Sequence, residues 1–236
     1  MKALLVDLDD TLLVYSAGVD DSWAAACGAA ALPVDTAVLM AALLDARQWF
    51  WADPDRQRRE RVNMLGAWTK IAVEALARCG CADETLAAAV AQEYARRRRE
   101  VMVLFPEARA FLETLRTRGV PLALVTNGDA GQQRDKIERH DLARYFDVML
   151  IEGEFGCGKP EEAVYREALR ALGARADDAW MVGDHLEWDV VAPQRLGLRG
   201  VWIDRPGAGL PPDASARPHR IIRSLSELLE EGHRDR

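Results

Sequence analysis

Three carboxylates, Asp7, Asp9 and Asp10, follow directly on the apolar run Ala3 to Val6 in the opening stretch MKALLVDLDDTL. In an extended chain alternate side chains share a face, so Asp7 and Asp9 project together while Leu8 turns away. At the end of a buried strand such a pair could hold a cation, exchange a proton or attack an electrophilic centre. It could equally be a polar turn in which Asp and Thr end the strand and cap the next element. The stretch alone leaves both readings open.

The same kind of address recurs further along. Pro121 to Val125 runs into Thr126-Asn127-Gly128, a hydroxyl, an amide and a glycine that lets backbone N–H groups approach an anion, or else a plain turn. Ala179 to Val182 runs into Gly183-Asp184, with Asp189 five positions on, an acidic pair for a cation or a helix cap with a first-turn carboxylate. Lys159, between Gly158 and Pro160, precedes a helix pattern; alone it would be a solvated charge. Taken together, Asp7, Asp9, Asp184 and Asp189, the Thr126 hydroxyl and Lys159 all fall at or just past strand ends. Clustered carboxylates repel unless a cation or proton intervenes, and an all-oxygen set suits Mg²⁺. Carboxylates, a divalent metal, a lysine and a phosphate cradle point to phosphoryl transfer.

To share one rim these residues need a parallel sheet. Short apolar runs recur at Ala3 to Val6, Pro121 to Val125, Val148 to Ile151, Ala179 to Val182 and Gly200 to Ile203, with Ile221 and Ile222 marking one more. None alternates strictly, as expected of strands covered on both faces. Helical patterns lie between most of them: Pro106 to Arg118, Gln132 to Arg139, Glu161 to Leu172 and Asp189 to Leu196, several closed by Gly. The fold class predicted is α/β, a Rossmann-like parallel sheet flanked by helices, with ligands at the carboxyl ends of its strands. From about Tyr15 to Met102 there is no convincing strand, only helical segments at Asp21 to Leu32, Asp35 to Phe50, Pro54 to Cys79 and Asp83 to Val101. Asp35 and Asp83 stand where N-caps should. That stretch is too long for a crossover, so the expected organisation is a core of residues 1–14 and 103–236 with a four-helix domain, 15–102, inserted. Pro206 to Pro218 reads as a surface loop before a last strand and helix.

The order Asp7-Leu8-Asp9-Asp10-Thr11, Thr126-Asn127-Gly128, Lys159-Pro160, then Gly183-Asp184 with Asp189, resembles the haloacid dehalogenase (HAD) superfamily across essentially the whole chain. Trp180 to Trp202 resembles its fourth motif with the following helix and strand. A helical insert just after the first motif resembles the cap called C1. The resemblance implies an Mg²⁺-dependent phosphatase acting on a small organic phosphate monoester through an aspartyl-phosphate. Asp7 would be the nucleophile and Asp9 the acid/base. The metal would be held by the Asp7 side chain, the Asp9 backbone carbonyl and Asp184, with Asp189 ligating or supporting through water. Thr126 and the N–H groups of Asn127 and Gly128 would hold phosphoryl oxygens, and Lys159 would balance charge. Asp10 is expected to be a turn residue only. Dehalogenases of the superfamily dispense with the metal and the second acid, both provided for here. A phosphomutase would share every core residue, and a non-catalytic phosphate-ligand-binding protein is a further alternative.

The insert would hold the substrate information, and little of it is readable. Arg56, Arg58, Arg59, Arg61 and Arg96 to Arg99 are expected to be solvated or ion-paired surface, with one or two left as candidates to grip an anion. Trp23, Trp49, Trp51 and Trp68 are expected in the helical core. His185 is expected to be structural or exposed. A closing cap would leave small phosphorylated metabolites as partners, such as nucleoside monophosphates or sugar phosphates. The net charge of −7 gives no reason to expect a nucleic acid polymer or a membrane surface as a partner. Four irregularly placed cysteines suit a reduced protein. With no signal-like core and no run near the ~20 apolar residues that span a bilayer, a cytoplasmic location is expected.

Overall fold

The computed structural model describes residues 1–30 and 32–229. In chain order, β1 (Ala3–Val6) is followed by five helices, α1 (Val19–Ala29), α2 (Thr36–Trp51), α3 (Pro54–Glu60), α4 (Met64–Arg78) and α5 (Glu84–Val101). Then come α6 (Ala108–Thr117), β2 (Leu122–Thr126), α7 (Ala130–Arg139), β3 (Val148–Ile151), the single turn α8 (Glu152–Phe155) and α9 (Glu162–Leu172). β4 (Ala179–Gly183) leads through a wide π-type turn, Leu186–Val191, into α10 (Ala192–Arg195), β5 (Arg199–Ile203) and β6 (Arg220–Ile222). The chain divides into two compact units, residues 1–14 with 103–236 and residues 15–102.

The first unit is built on a six-stranded sheet in the order β3-β2-β1-β4-β5-β6. Every neighbouring pair is parallel. All residues of β1 and β2 are buried, which is why these strands lack alternation: both faces are covered. On one face Leu5, Val125, Tyr165, Ala168, Met181 and Leu198 belong to a single apolar cluster. The chain leaves and re-enters this unit at one place, where Val14 N–H donates to the Val103 carbonyl at 2.8 Å. The Pro206 to Pro218 stretch carries neither helix nor strand, and Asp204 braces its start by accepting from the N–H groups of Gly207, Ala208 and Gly209. The expected helix after β6 appears among the described residues as one 3₁₀ turn, Leu225–Leu228, and its remainder lies outside them.

Among its described residues the second unit carries helices and no strand, with a core of Trp23, Leu43, Phe50, Trp68, Ile71 and Tyr94 among others. Trp23 stacks on Tyr94 (ring centroids 3.9 Å apart) and Trp68 meets the same ring edge-on. Asp35 and Asp83 cap α2 and α5, accepting from Ala37, Val38 and Leu86 N–H. The helix expected over Pro54 to Cys79 is in fact two, so the unit has five helices among its described residues rather than four. The break falls at Asn63, whose side chain accepts from Gly66 N–H at 3.1 Å and starts α4 afresh. Gly66 makes room for that cap, since a Cβ there would lie 2.7 Å from Asn63 Nδ2. Likewise, the helix expected from Asp189 begins three residues earlier as the π-type turn. Pro193 has no N–H to continue an α ladder, and Ala192 N–H reaches back to the Glu187 carbonyl instead. No helix among the described residues is long and apolar enough to cross a membrane.

Candidate active site

β1 lies between β2 and β4, and the chain runs first to one side of it and later to the other. The crevice at the carboxyl ends of β1 and β4 is therefore the topological switch point, where open parallel sheets bind ligands. Asp7 follows β1 and Asp184 follows β4; Val6 pairs with Val182, and Asp7 N–H donates to the Val182 carbonyl at 3.0 Å, so the two ends are level. Asp189 reaches the same point by folding back from the π-type turn, its Oδ2 accepting from His185 N–H at 3.0 Å. Only glycine fits beneath it: a Cβ on Gly183 would stand 2.2 Å from the Asp189 carboxyl carbon.

Oxygens of Asp7, Asp184 and Asp189 lie within 4.8 Å of one another. Lys159 sits among them, buried, its Nζ donating to Asp7 Oδ1 at 2.6 Å and to Asp189 Oδ1 at 2.7 Å. Thr11 Oγ1 donates to the other Asp7 oxygen at 3.0 Å. Burial opposes the charge on Lys159, but the Asp189 and Asp7 carboxylates overcome it and hold the amine above the usual lysine range. For Asp7, burial outweighs the Lys159 ammonium and, with repulsion from Asp189 and Asp9, pushes the carboxyl up to about 7. Asp184 is pushed up to about 8 by burial of its carboxylate and then by the negative charges of Asp7, Asp189 and Asp10. That residue is itself exposed, so water offsets part of its burial. One lysine does not neutralise three acids, and the donor set is all oxygen. The cluster fits a hard divalent cation, which would hold Asp7 and Asp184 ionised.

Asp9 takes partners outside that cluster. Its two carboxylate oxygens each accept from Lys136 Nζ at 2.8 Å, and Oδ2 also accepts from Gln133 Nε2 at 3.0 Å. The same Gln133 nitrogen donates to Thr126 Oγ1 at 2.6 Å and to the Asn127 carbonyl at 3.0 Å. The Asn127 side chain clamps the lysine segment, accepting from Lys159 N–H and donating to the Lys159 carbonyl, both at 2.7 Å. Gly128 N–H, expected to hold a phosphoryl oxygen, donates in this structure to Glu152 Oε2 at 2.9 Å. Gly128 is needed there for its backbone, which takes φ 119°. Asp10 also lies in the left-handed region, φ 56°, in the turn after β1. Arg205 fastens that turn by donating to the Asp10 and Thr11 carbonyls, and pairs with Glu107 at 2.8 Å.

Gln133, Lys136, Glu152 and Arg205 are residues that reading along the chain did not single out. Gln133 and Lys136 had one signal: they share a helix face with Ile137, the face an amphipathic α7 must bury. His185 is exposed and stacks on Trp188. In the helical unit Arg58, Arg59, Arg96 and Arg99 are exposed, and Arg96 and Arg97 pair with Glu93. Arg61 and Arg98 are instead buried, against expectation; Arg98 donates to the carbonyls of Tyr15 and Ala17. Trp49 also departs from expectation: it is exposed, with the Arg56 guanidinium 4.0 Å from its ring centroid. Trp51 is partly buried against the core that encloses Trp23 and Trp68. All four cysteines are unpaired.

A family model for haloacid dehalogenase-like hydrolases matches residues 1–197. A protein named phosphoserine phosphatase from Thermus thermophilus is 37% identical across 97% of this chain and 98% of its own. The N-acylneuraminate-9-phosphatase of Rattus norvegicus is 38% identical over 54% of this chain and 51% of that protein. Among solved structures, the HAD-hydrolase YfnB from Bacillus subtilis superposes with a TM-score of 0.76 at 21% identity, covering 96% of each chain. A 2-haloacid dehalogenase from Pseudomonas syringae superposes with a TM-score of 0.66 at 28% identity, covering 98% of this chain and 97% of that one. With a family match over more than half its length and a relative aligned nearly end to end, the chain belongs to the haloacid dehalogenase-like hydrolases.

Proposed function

We propose that this hydrolase is a phosphatase that cleaves a small organic phosphate monoester through an aspartyl-phosphate on Asp7, with Mg²⁺ as cofactor. The observation that carries the reading is the arrangement around Asp7: a strand-end carboxylate held by Lys159 and Thr11, within 4.8 Å of two further acids. The Thermus relative supports phosphate esters over carbon–halogen bonds, and O-phosphoserine is the first substrate to try.

An Asp7 oxygen attacks phosphorus as the bond to the leaving oxygen breaks, and Asp9 gives that oxygen a proton. Water then attacks the phosphoryl-enzyme, Asp9 takes its proton, and Asp7 departs as a carboxylate, leaving inorganic phosphate. The Thr126 hydroxyl and Asn127 N–H receive phosphoryl oxygens; Gly128 N–H is assigned to Glu152 instead. Lys159 offsets the charge of Asp7 and of the transferred group. The metal's ligands would be the Asp7 and Asp184 carboxylates and the Asp9 backbone carbonyl. Asp189, whose two oxygens already take Lys159 and His185, supports the set from behind. When bound, the ion supplies positive charge against the phosphoryl oxygens and the paired acids. Residues 15–102 are read as a C1-type cap, which would limit substrates to small metabolites.

A panel of phosphate esters headed by O-phosphoserine, assayed with Mg²⁺, after complete metal removal, and with Asp7→Asn, tests the reading. Turnover by the wild type with Mg²⁺, abolished by chelator and restored by Mg²⁺, is expected. Full activity without metal, or turnover of a haloacid and of no phosphate ester, would overturn it.

A further inference from the structure

Helix α7 carries two buried polar side chains that the proposed reaction does not use. Lys136 is 3% exposed and Gln133 2%, one turn apart beside Ile137. Burying an ammonium is costly unless it is paired, and Lys136 is paired with both oxygens of Asp9. Gln133 bridges Asp9 to Thr126 with one amide nitrogen. An amide NH₂ has two hydrogens, and the Asn127 carbonyl takes part as a third acceptor, so the group is fully engaged.

We propose that Lys136 and Gln133 are positioning residues for proton transfer by Asp9, tying its carboxylate to the hydroxyl that receives the phosphoryl group. The inference rests on the phosphatase reading and deepens it. As the leaving oxygen takes the proton of Asp9, negative charge appears on that carboxylate. Lys136 lies against that charge and holds the carboxylate's orientation with two hydrogen bonds. Gln133 donates to Thr126 Oγ1, which leaves the hydroxyl proton for the Asn127 carbonyl, 3.4 Å away, or for a phosphoryl oxygen. The acid/base and the phosphoryl-binding hydroxyl are thereby set by a single helix face.

The test compares two leaving groups. Nitrophenolate departs without a proton, whereas an alkoxide does not. We therefore measure kcat/KM for 4-nitrophenyl phosphate and for an alkyl ester, O-phosphoserine or glycerol phosphate, whichever the wild type turns over faster. Lys136→Met, which keeps an apolar stem of similar length, should lower the alkyl value by about 10²-fold and the aryl value by less than about tenfold. Gln133→Leu should shift the ratio in the same direction and serves if Lys136→Met does not fold. Added to Asp9→Asn, Lys136→Met should cost little more on the aryl ester, because both act on one step. Equal losses on both esters, or losses that add fully to those of Asp9→Asn, would overturn the inference while leaving the phosphatase reading intact. A wild type that turns over no phosphate ester would overturn both.

Discussion

Asp7 and Gly183 show how much of this site hangs on single atoms. Asp7→Asn keeps the shape of the side chain and its contact with Thr11 but removes the anionic oxygen proposed to attack phosphorus. Turnover should fall by at least ~10³ in kcat, measured on the best ester of the panel, with folding unchanged by circular dichroism. Gly183→Ala tests the site without touching a reacting group. The added methyl would overlap the Asp189 carboxyl carbon at 2.2 Å, so Asp189 must leave Lys159 or the strand end must shift. Overpacking of this kind costs about 1–3 kcal/mol, and a lowered melting temperature together with weakened Mg²⁺ dependence is the expected outcome. Unchanged metal dependence would separate Asp189 from the cluster.

At the scale of elements, the site depends on helices being started where their neighbours need them. Asp129 caps α7, accepting from Gln132 N–H at 2.9 Å, and this sets the rotation that turns Gln133 and Lys136 inward. The π-type turn at Leu186–Val191 does the same for Asp189. In the helical unit the comparable point is Asn63. Asn63→Ala removes the cap of α4 and should destabilise the protein by about 1 kcal/mol in a urea or thermal melt. Asn63→Asp keeps an acceptor oxygen and should recover most of that loss. If Asn63→Ala melts like the wild type, the break between α3 and α4 is held by packing alone.

For the whole molecule, the acidic cluster should make stability depend on pH and, with the proposed ion bound, on metal. Asp7 is moved from 3.8 to about 7 and Asp184 from 3.8 to about 8, so the folded state keeps protons that the unfolded chain has already released. Their contribution is neutral below the unfolded value and becomes unfavourable as pH rises from about 4 through about 8. Acids shifted the other way, such as Glu93 and Asp147, act near and below the ordinary carboxylate range and add little to the change above pH 5. Metal-free protein should therefore melt progressively lower from pH 5.5 to 8.5. The proposed Mg²⁺, which would bind the ionised form, should raise the melting temperature more at pH 8 than at pH 5.5, at roughly 2–4 °C per kcal/mol for a chain of this size. An equal rise at both pH values would mean that the ion binds away from these acids.

The strand-end acids, the six strands and the helical stretch from Tyr15 to Met102 could be read along the chain, because they obey local rules. An apolar run ending in Asp or Gly, or a helix begun by an Asp cap, is written within a few consecutive residues. The break at Asn63 was less visible, since capping there depends on Gly66 leaving space for a side chain. The pairing of Lys136 with Asp9 spans 127 positions, and that of Gly128 with Glu152 spans 24. Which amine meets which carboxylate, and which amide meets which acceptor, is decided by strands being laid side by side in the order β3-β2-β1-β4-β5-β6. By itself the sequence determined the kinds of group present and the strand ends that carry them. Only the tertiary structure decided their partners, because hydrogen bonds and ion pairs act over a few ångströms of space whatever the separation along the chain.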